Sequence, residues 1–145
     1  MSELPVRRSP SEVLRRGYSD DELDQIYELG RFFLENGDLR RGEVIMLGIS
    51  EIAPDFLPAL LGLFYLYFQR HDFEQAASKA RQALQLDPEN IIARLYLATA
   101  QLSQGDYPAA GANLGEIGEK MENGQNEDPR LLRFYKGQLA RYQHR

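Results

Sequence analysis

Apolar residues recur along most of the chain at the spacing of amphipathic helices, and short polar breaks separate these stretches. Three of the breaks share one pattern: ENGDL at residues 35–39, QRHDF at 69–73 and SQGDY at 103–107. Side chains three and four residues apart lie on one face of a helix, and no segment shows the sustained alternation that a strand requires. The pattern therefore predicts an all-α protein of antiparallel helix pairs joined by short turns.

The residues at the ends of the predicted helices agree with this interpretation. Ser19, three residues before a glutamate, has the spacing of a capping box that opens a helix. Gly37 and Gly105 stand where a left-handed turn between two helices favours glycine. Pro54 and Pro88 follow the second helix of two pairs and disfavour helix in the residue before them.

One stretch, LLGLFYLYF at residues 60–68, is apolar all round. Extended to residues 57–68 it holds twelve residues, whereas a membrane-spanning helix needs about twenty. We therefore expect no membrane insertion. A helix without a polar face is buried on several sides or presents an apolar surface to a partner.

Each of the three breaks contains an aspartate, and Asp38, Asp72 and Asp106 lie 34 residues apart. A fixed period of this length indicates stacked helical units, and 34 residues is the tetratricopeptide period. When each 34-residue repeat is numbered so that its aspartate is position 16, the chain resembles the tetratricopeptide family over residues 23–122. The stretch ARQALQLDPEN at residues 80–90 is close to the family consensus.

Other positions of the repeat support the resemblance, with departures in the third unit. Small residues occur at position 20, where the two helices of a unit cross: Gly42, Ala76 and Ala110. The large apolar residues expected to pack the first helix of the first unit are Ile26, Leu29 and Phe33. In the third unit Arg94 and Gln101 replace two such residues.

The resemblance implies a short right-handed superhelix of three tandem helix-turn-helix units. These units are residues 23–56, 57–90 and 91–124. Residues 1–22 form an N-terminal extension with a short helix opened by Ser9 and Pro10. Residues 128–143 form a C-terminal capping helix, because a repeat array must cover its last apolar face.

Composition excludes several kinds of chemistry. The chain has no cysteine, and its two histidines, His71 and His144, have no ligand partner at helical spacing. No catalytic motif is present, so we expect no enzyme, no metal and no cofactor. A net charge of −5 disfavours nucleic-acid binding, although basic residues collect near both ends of the sequence.

The predicted function is therefore protein binding. In tetratricopeptide arrays the first helices of the units line a concave groove, and the corresponding side chains here are mostly apolar. They are Tyr27, Arg31, Leu34, Leu61, Tyr65, Phe68, Leu95, Thr99 and Leu102. The lysines and asparagine that hold a carboxylate tail in one tetratricopeptide subclass are missing. We expect a client with an apolar or amphipathic segment, unless residues 1–18 or a second copy of the chain cover the groove.

The C-terminal stretch DPRLLRFYKGQLARYQ, residues 128–143, gives a narrower resemblance. It looks like the closing helix of needle-subunit chaperones of bacterial type III secretion systems. The size and the three units also fit the translocator chaperones of those systems. The resemblance implies a cytoplasmic chaperone that shields an apolar helix of a secreted subunit, together with a small co-chaperone or as a homodimer. The alternative is an adaptor that joins subunits of another protein assembly.

Overall fold

The computed structural model describes residues 17–124 and 128–145, and within those residues it contains seven α-helices and no strand. The helices are α1 (Asp20–Glu35), α2 (Leu39–Ile52), α3 (Leu57–Gln69), α4 (Phe73–Leu86), α5 (Ile91–Gln104), α6 (Tyr107–Glu122) and α7 (Pro129–Gln143). The predicted all-α fold is confirmed. The short helix predicted from Ser9 lies outside the described residues.

The chain divides into two compact units, Met1–Leu66 and Tyr67–Arg145. We call these the first and the second unit, and we call the predicted 34-residue segments repeats. Helix α3 is continuous across this division. Helices α3 and α5 begin at Leu57 and Ile91, the first residues of the predicted second and third repeats. Within residues 17–124 and 128–145 no helix is both long enough and apolar enough to cross a membrane, and α3 has only 13 residues.

The same backbone turn joins the two helices of each pair. The aspartate N–H donates to a carbonyl five residues earlier, and the N–H of the preceding residue donates to a carbonyl three residues earlier, which is the Schellman arrangement. The first set of bonds is Asp38 to Phe33, Asp72 to Tyr67 and Asp106 to Gln101, each 2.9 Å. The second set is Gly37 to Leu34 at 3.1 Å, His71 to Phe68 at 3.0 Å and Gly105 to Leu102 at 3.1 Å.

The repeated aspartate also starts the next helix. Its carboxylate accepts a hydrogen bond from a backbone N–H three residues later, which satisfies a donor that has no partner within the helix. The donors are Arg41 for Asp38, Gln75 for Asp72 and Ala109 for Asp106, at 3.2, 3.2 and 3.4 Å. The 34-residue period of the aspartates is therefore a period of helix N-caps.

Other predicted helix ends are also confirmed. Ser19 and Glu22 form the capping box before α1, with hydrogen bonds of 2.9 and 3.1 Å. Helix α2 ends one residue before Ala53-Pro54, and α4 ends one residue before Asp87-Pro88.

The first unit is packed around Met46, whose side chain is fully buried. A Cβ atom placed on Gly62 of α3 would lie 2.8 Å from the Met46 sulfur. The same atom on Gly30 of α1 would lie 3.0 Å from the Met46 Cε and 2.8 Å from the Cγ2 of Ile45. Glycines thus let α1 and α3 approach the side chains of α2 closely.

The second unit has a core formed by α5 and α6, with α7 packed against both. Leu95, Ala98, Leu114 and Ile117 are buried there, and Phe134 of α7 is one of the partly buried side chains on this core. Tyrosines of α7 also lie over glycines of α6: Tyr142 over Gly111, and Tyr135 over Gly118. The C-terminal helix therefore covers an apolar face of the unit, as the repeat pattern requires.

The two departures in the third repeat belong to one hydrogen-bond chain. Arg94 donates to the Asn113 carbonyl oxygen at 2.9 Å, and the Asn113 amide donates to Gln101 at 2.8 Å. Arg94 also donates to the Pro88 carbonyl at 3.0 Å and lies 3.6 Å from the Glu116 carboxylate. Since Gln101 is 5% exposed, its polar group needs such a partner inside the unit.

We predict opposite effects for alanine at two glycines of α6. Gly115→Ala meets no atom within 4 Å, so the gain in helix propensity should raise the melting temperature by about 2–4 °C. Gly111→Ala would place its Cβ 2.7 Å from the Cζ of Tyr142, so the ring must move and the melting temperature should fall. Thermal unfolding followed by circular dichroism measures both. Equal stabilisation by the two variants would contradict the packing of α7 on α6.

Candidate protein-binding surface

Most side chains of helix α3 are buried, and one face of the helix is partly exposed. Its buried residues are Ala59, Leu60, Gly62, Leu63, Phe64 and Leu66. Tyr65 is 37% exposed, and Leu61 and Phe68 are partly buried. These three residues are spaced four and three apart and so share one helix face. An aromatic and apolar face thus remains partly open on a helix that is otherwise core.

In the first unit the predicted site residues Tyr27 and Arg31 lie on α1. Tyr27 is partly buried and makes an edge-to-face contact with Phe56, with ring centroids 6.1 Å apart. Arg31 is exposed and donates to Glu35 at 2.7 Å, and this hydrogen bond is the main cause of its raised pKa. Because an exposed pair of this kind stabilises a protein little, Arg31 can exchange Glu35 for another acceptor at small cost.

The assignment of Leu34, Leu95, Thr99 and Leu102 to the partner surface needs correction. All four are at most 5% exposed. Leu34 lies over Gly42 at the crossing of α1 and α2, and Leu95 belongs to the core that α7 packs against. The Thr99 hydroxyl donates to the Leu95 carbonyl at 2.8 Å. These side chains are held inside their units, so the candidate contacts reduce to Tyr27, Arg31, Leu61, Tyr65 and Phe68.

The sequence analysis missed an exposed apolar surface on the first unit. Leu29 and Phe32 of α1 are 51% and 57% exposed, and Val44 and Leu47 of α2 are 67% and 41% exposed. We call these four residues the outer patch. The assignment of Leu29 to helix packing was therefore wrong. The available signal was the helical period, since Leu29 and Phe32 are three residues apart, as are Val44 and Leu47, so each pair shares a face of its helix.

An open depression of about 570 Å³ borders the outer patch. Phe33, Val44 and Ile45 supply its apolar lining, and Asp38, Arg40 and Arg41 supply its polar lining. Arg41 lies 5.6 Å above the Phe33 ring and 3.5 Å from the Asp38 carboxylate. The lining of the depression is thus apolar on one part and carries two arginines and one aspartate on the other.

No arrangement for metal chemistry is found in the described part of the chain. Within residues 17–124 and 128–145 no three histidine or acidic side chains come close enough together to hold a metal ion. His71 and His144 are both exposed. The surfaces described above therefore offer apolar contact and a few charges.

Comparisons with known proteins agree with this fold. A tetratricopeptide repeat family model matches residues 67–132, which confirms the predicted resemblance in that part of the chain. A chain of a T3SS complex from Aeromonas hydrophila is similar, with a TM-score of 0.74, 16% identity and 94% of each chain covered. A chain of the CopN-Scc3 complex is similar with a TM-score of 0.69, 12% identity, and 84% of this chain and 69% of that chain covered. No curated protein matches the sequence.

We predict that adjacent residues of α3 differ sharply in their effect on stability. Leu66 is fully buried, so Leu66→Ala should lower the free energy of unfolding by roughly 2–5 kcal/mol. Tyr65→Ala should lower it by about 1 kcal/mol or less, because much of that ring already faces solvent. Urea denaturation measures both values. A larger loss for Tyr65→Ala than for Leu66→Ala would contradict the orientation of α3.

Proposed function

We propose that this protein is a non-enzymatic, cytoplasmic chaperone of a type III secretion system. It holds an apolar or amphipathic helical segment of a secreted subunit against the first helices of its repeats. The proposed contacts are Tyr27 and Arg31 on α1, and Leu61, Tyr65 and Phe68 on α3.

The open face of α3 is the observation that carries this proposal. A partly open face with Leu61, Tyr65 and Phe68 at helical spacing matches the way an amphipathic helix presents its own apolar side chains. Full burial of an exposed apolar side chain contributes roughly 1.5–3 kcal/mol, and a client gains only a part of that from each of these three because they are already partly buried. The low charge of this face favours an apolar segment over an acidic tail.

The assignment to secretion rests on two further observations. Chains from a T3SS complex and from the CopN-Scc3 complex share the fold over most of this chain. The C-terminal helix also carries the residues that resemble needle-subunit chaperones, among them Asp128, Phe134 and Gly137. We therefore favour a needle-type client, with a translocator-type client second. An adaptor in another assembly is the alternative.

A charge placed on the open face should abolish client binding. The tagged chain is purified from its host, and the protein that travels with it is identified. We expect Tyr65→Glu and Phe68→Glu to recover at least tenfold less of that protein than the wild-type chain does, because each variant buries a carboxylate against an apolar segment. Gln85→Glu is the matched control, since it adds the same charge at an exposed position of α4 that is not among the proposed contacts.

The identity of the recovered protein separates the two functions. A secreted subunit that aggregates without this chain supports the chaperone. A stable protein resident in another assembly supports the adaptor. Wild-type recovery with both Tyr65→Glu and Phe68→Glu, at unchanged thermal stability, would place the client elsewhere on the molecule.

We further propose that the outer patch binds a small co-chaperone through an amphipathic helix. The support for this is four large apolar side chains, each at least 41% exposed, on two helices that pack against each other, since exposed apolar side chains that lie together often mark a binding site. The lining of the adjoining depression has two arginines, Arg40 and Arg41, against one aspartate, Asp38, and this net positive charge favours acidic residues beside the apolar ones on that helix.

The double variant Phe32→Glu/Val44→Glu should lose the co-chaperone and keep the client. Light scattering after co-expression gives the composition of each complex. The matched control is Gln75→Glu/Gln85→Glu, which adds two charges at exposed positions of α4, outside the outer patch. A homodimer of the isolated chain that the double variant converts to a monomer would instead assign the patch to a second copy. A monomer with no further subunit in the native complex would contradict both.

A further inference from the structure

One turn of the repeat contains a residue that its backbone conformation disfavours. The three equivalent turn positions all have positive φ, with +83° at Gly37, +61° at His71 and +79° at Gly105. Two of them are glycine, which adopts this left-handed conformation without steric penalty. His71 carries a Cβ atom there and is the one non-glycine residue with positive φ in residues 17–124 and 128–145.

The imidazole of His71 makes a contact that glycine lacks. Its ring lies edge-on to Phe73, the first residue of α4, with centroids 5.6 Å apart. Phe73 in turn makes an edge-to-face contact with Phe68, with centroids 5.1 Å apart. Edge-to-face pairs at these distances are mutually attractive beyond their apolar burial. His71, Phe73 and Phe68 therefore form a continuous aromatic chain within the second unit.

The backbone joins the two ends of this chain. The His71 N–H donates to the Phe68 carbonyl at 3.0 Å as part of the turn that ends α3. Phe68 is thus fixed to His71 through its main chain and to Phe73 through its ring. In the other two turns the equivalent glycines make the backbone bond, to Leu34 and Leu102, but have no side chain to add.

We propose that His71 is a positioning residue that orients the Phe68 ring for the client. This inference rests on the proposed function, because it takes Phe68 as a client contact. Strained backbone at a candidate site is often retained for a role that a relaxed residue cannot fill. Leu34 and Leu102, which precede the same turn in the other repeats, are buried inside their units and need no such support.

The decisive variant is His71→Gly, which copies the turn of the other two repeats. Since glycine suits positive φ, we expect the melting temperature to stay within a few degrees of the wild-type value or to rise. His71→Asn also tolerates this conformation without a ring and serves as a second variant. The apolar segment of the co-purified subunit, made as a fluorescein-labelled peptide, is the binding probe. Both variants should bind it roughly three- to tenfold more weakly.

A double-mutant cycle tests whether His71 acts through Phe73. Phe73→Leu alone should weaken peptide binding to a similar degree. The double variant His71→Gly/Phe73→Leu should then be no weaker than the worse single variant, because both changes remove the same support. Additive losses would mean that His71 touches the client directly and would overturn the positioning role.

A measurement on the free protein separates this inference from the proposed function. In carbon-13 aromatic spectra, His71→Gly should shift or broaden the ring resonances of Phe68, whereas Arg70→Gly beside it should leave them in place. If Phe68→Glu abolishes peptide binding but His71→Gly binds with wild-type affinity, the positioning role alone is wrong. If Phe68→Glu binds as the wild type does, the client site fails and the positioning role fails with it.

Discussion

The hydrogen-bonded turn between paired helices is the element on which each pair depends. Two backbone bonds end the first helix, and the aspartate that donates one of them uses its carboxylate to start the second. A helix pair can pack only if the chain reverses within these few residues. This turn, with a positive φ before the aspartate, occurs three times at 34-residue intervals. It is relaxed at two turns with glycine and disfavoured at the third, where His71 stands.

Small residues then determine how closely neighbouring helices approach. In the first unit Gly30 and Gly62 leave room for Met46, and in the second Gly111 leaves room for Tyr142. Close approach buries apolar area efficiently, and it also hides side chains that a repeat pattern assigns to an open surface. Leu95 is an example, because the core formed around it is covered by α7. The same packing leaves the outer patch uncovered on the first unit.

The candidate site was predictable where a helix face is set by spacing alone. Tyr65 is the clearest case: its partial exposure follows from its place between buried neighbours on α3. Prediction failed for Thr99, which is only 5% exposed, because a helical period does not specify what covers a face. It failed also for Leu29, which the repeat pattern assigned to helix packing and which is 51% exposed. Neither outcome is encoded in the local pattern of apolar and polar residues.

Sequence by itself determined the helix pairs, their period and their ends, because caps and turns are closed by bonds between residues at most five apart. It also showed that Arg94 and Gln101 depart from the repeat. Only the tertiary structure decided that Asn113 connects them, since this residue comes from a different helix. The tertiary structure likewise decided which apolar side chains stay exposed. Burial is a property of the whole packed unit, and a helical period specifies a face without specifying what covers it.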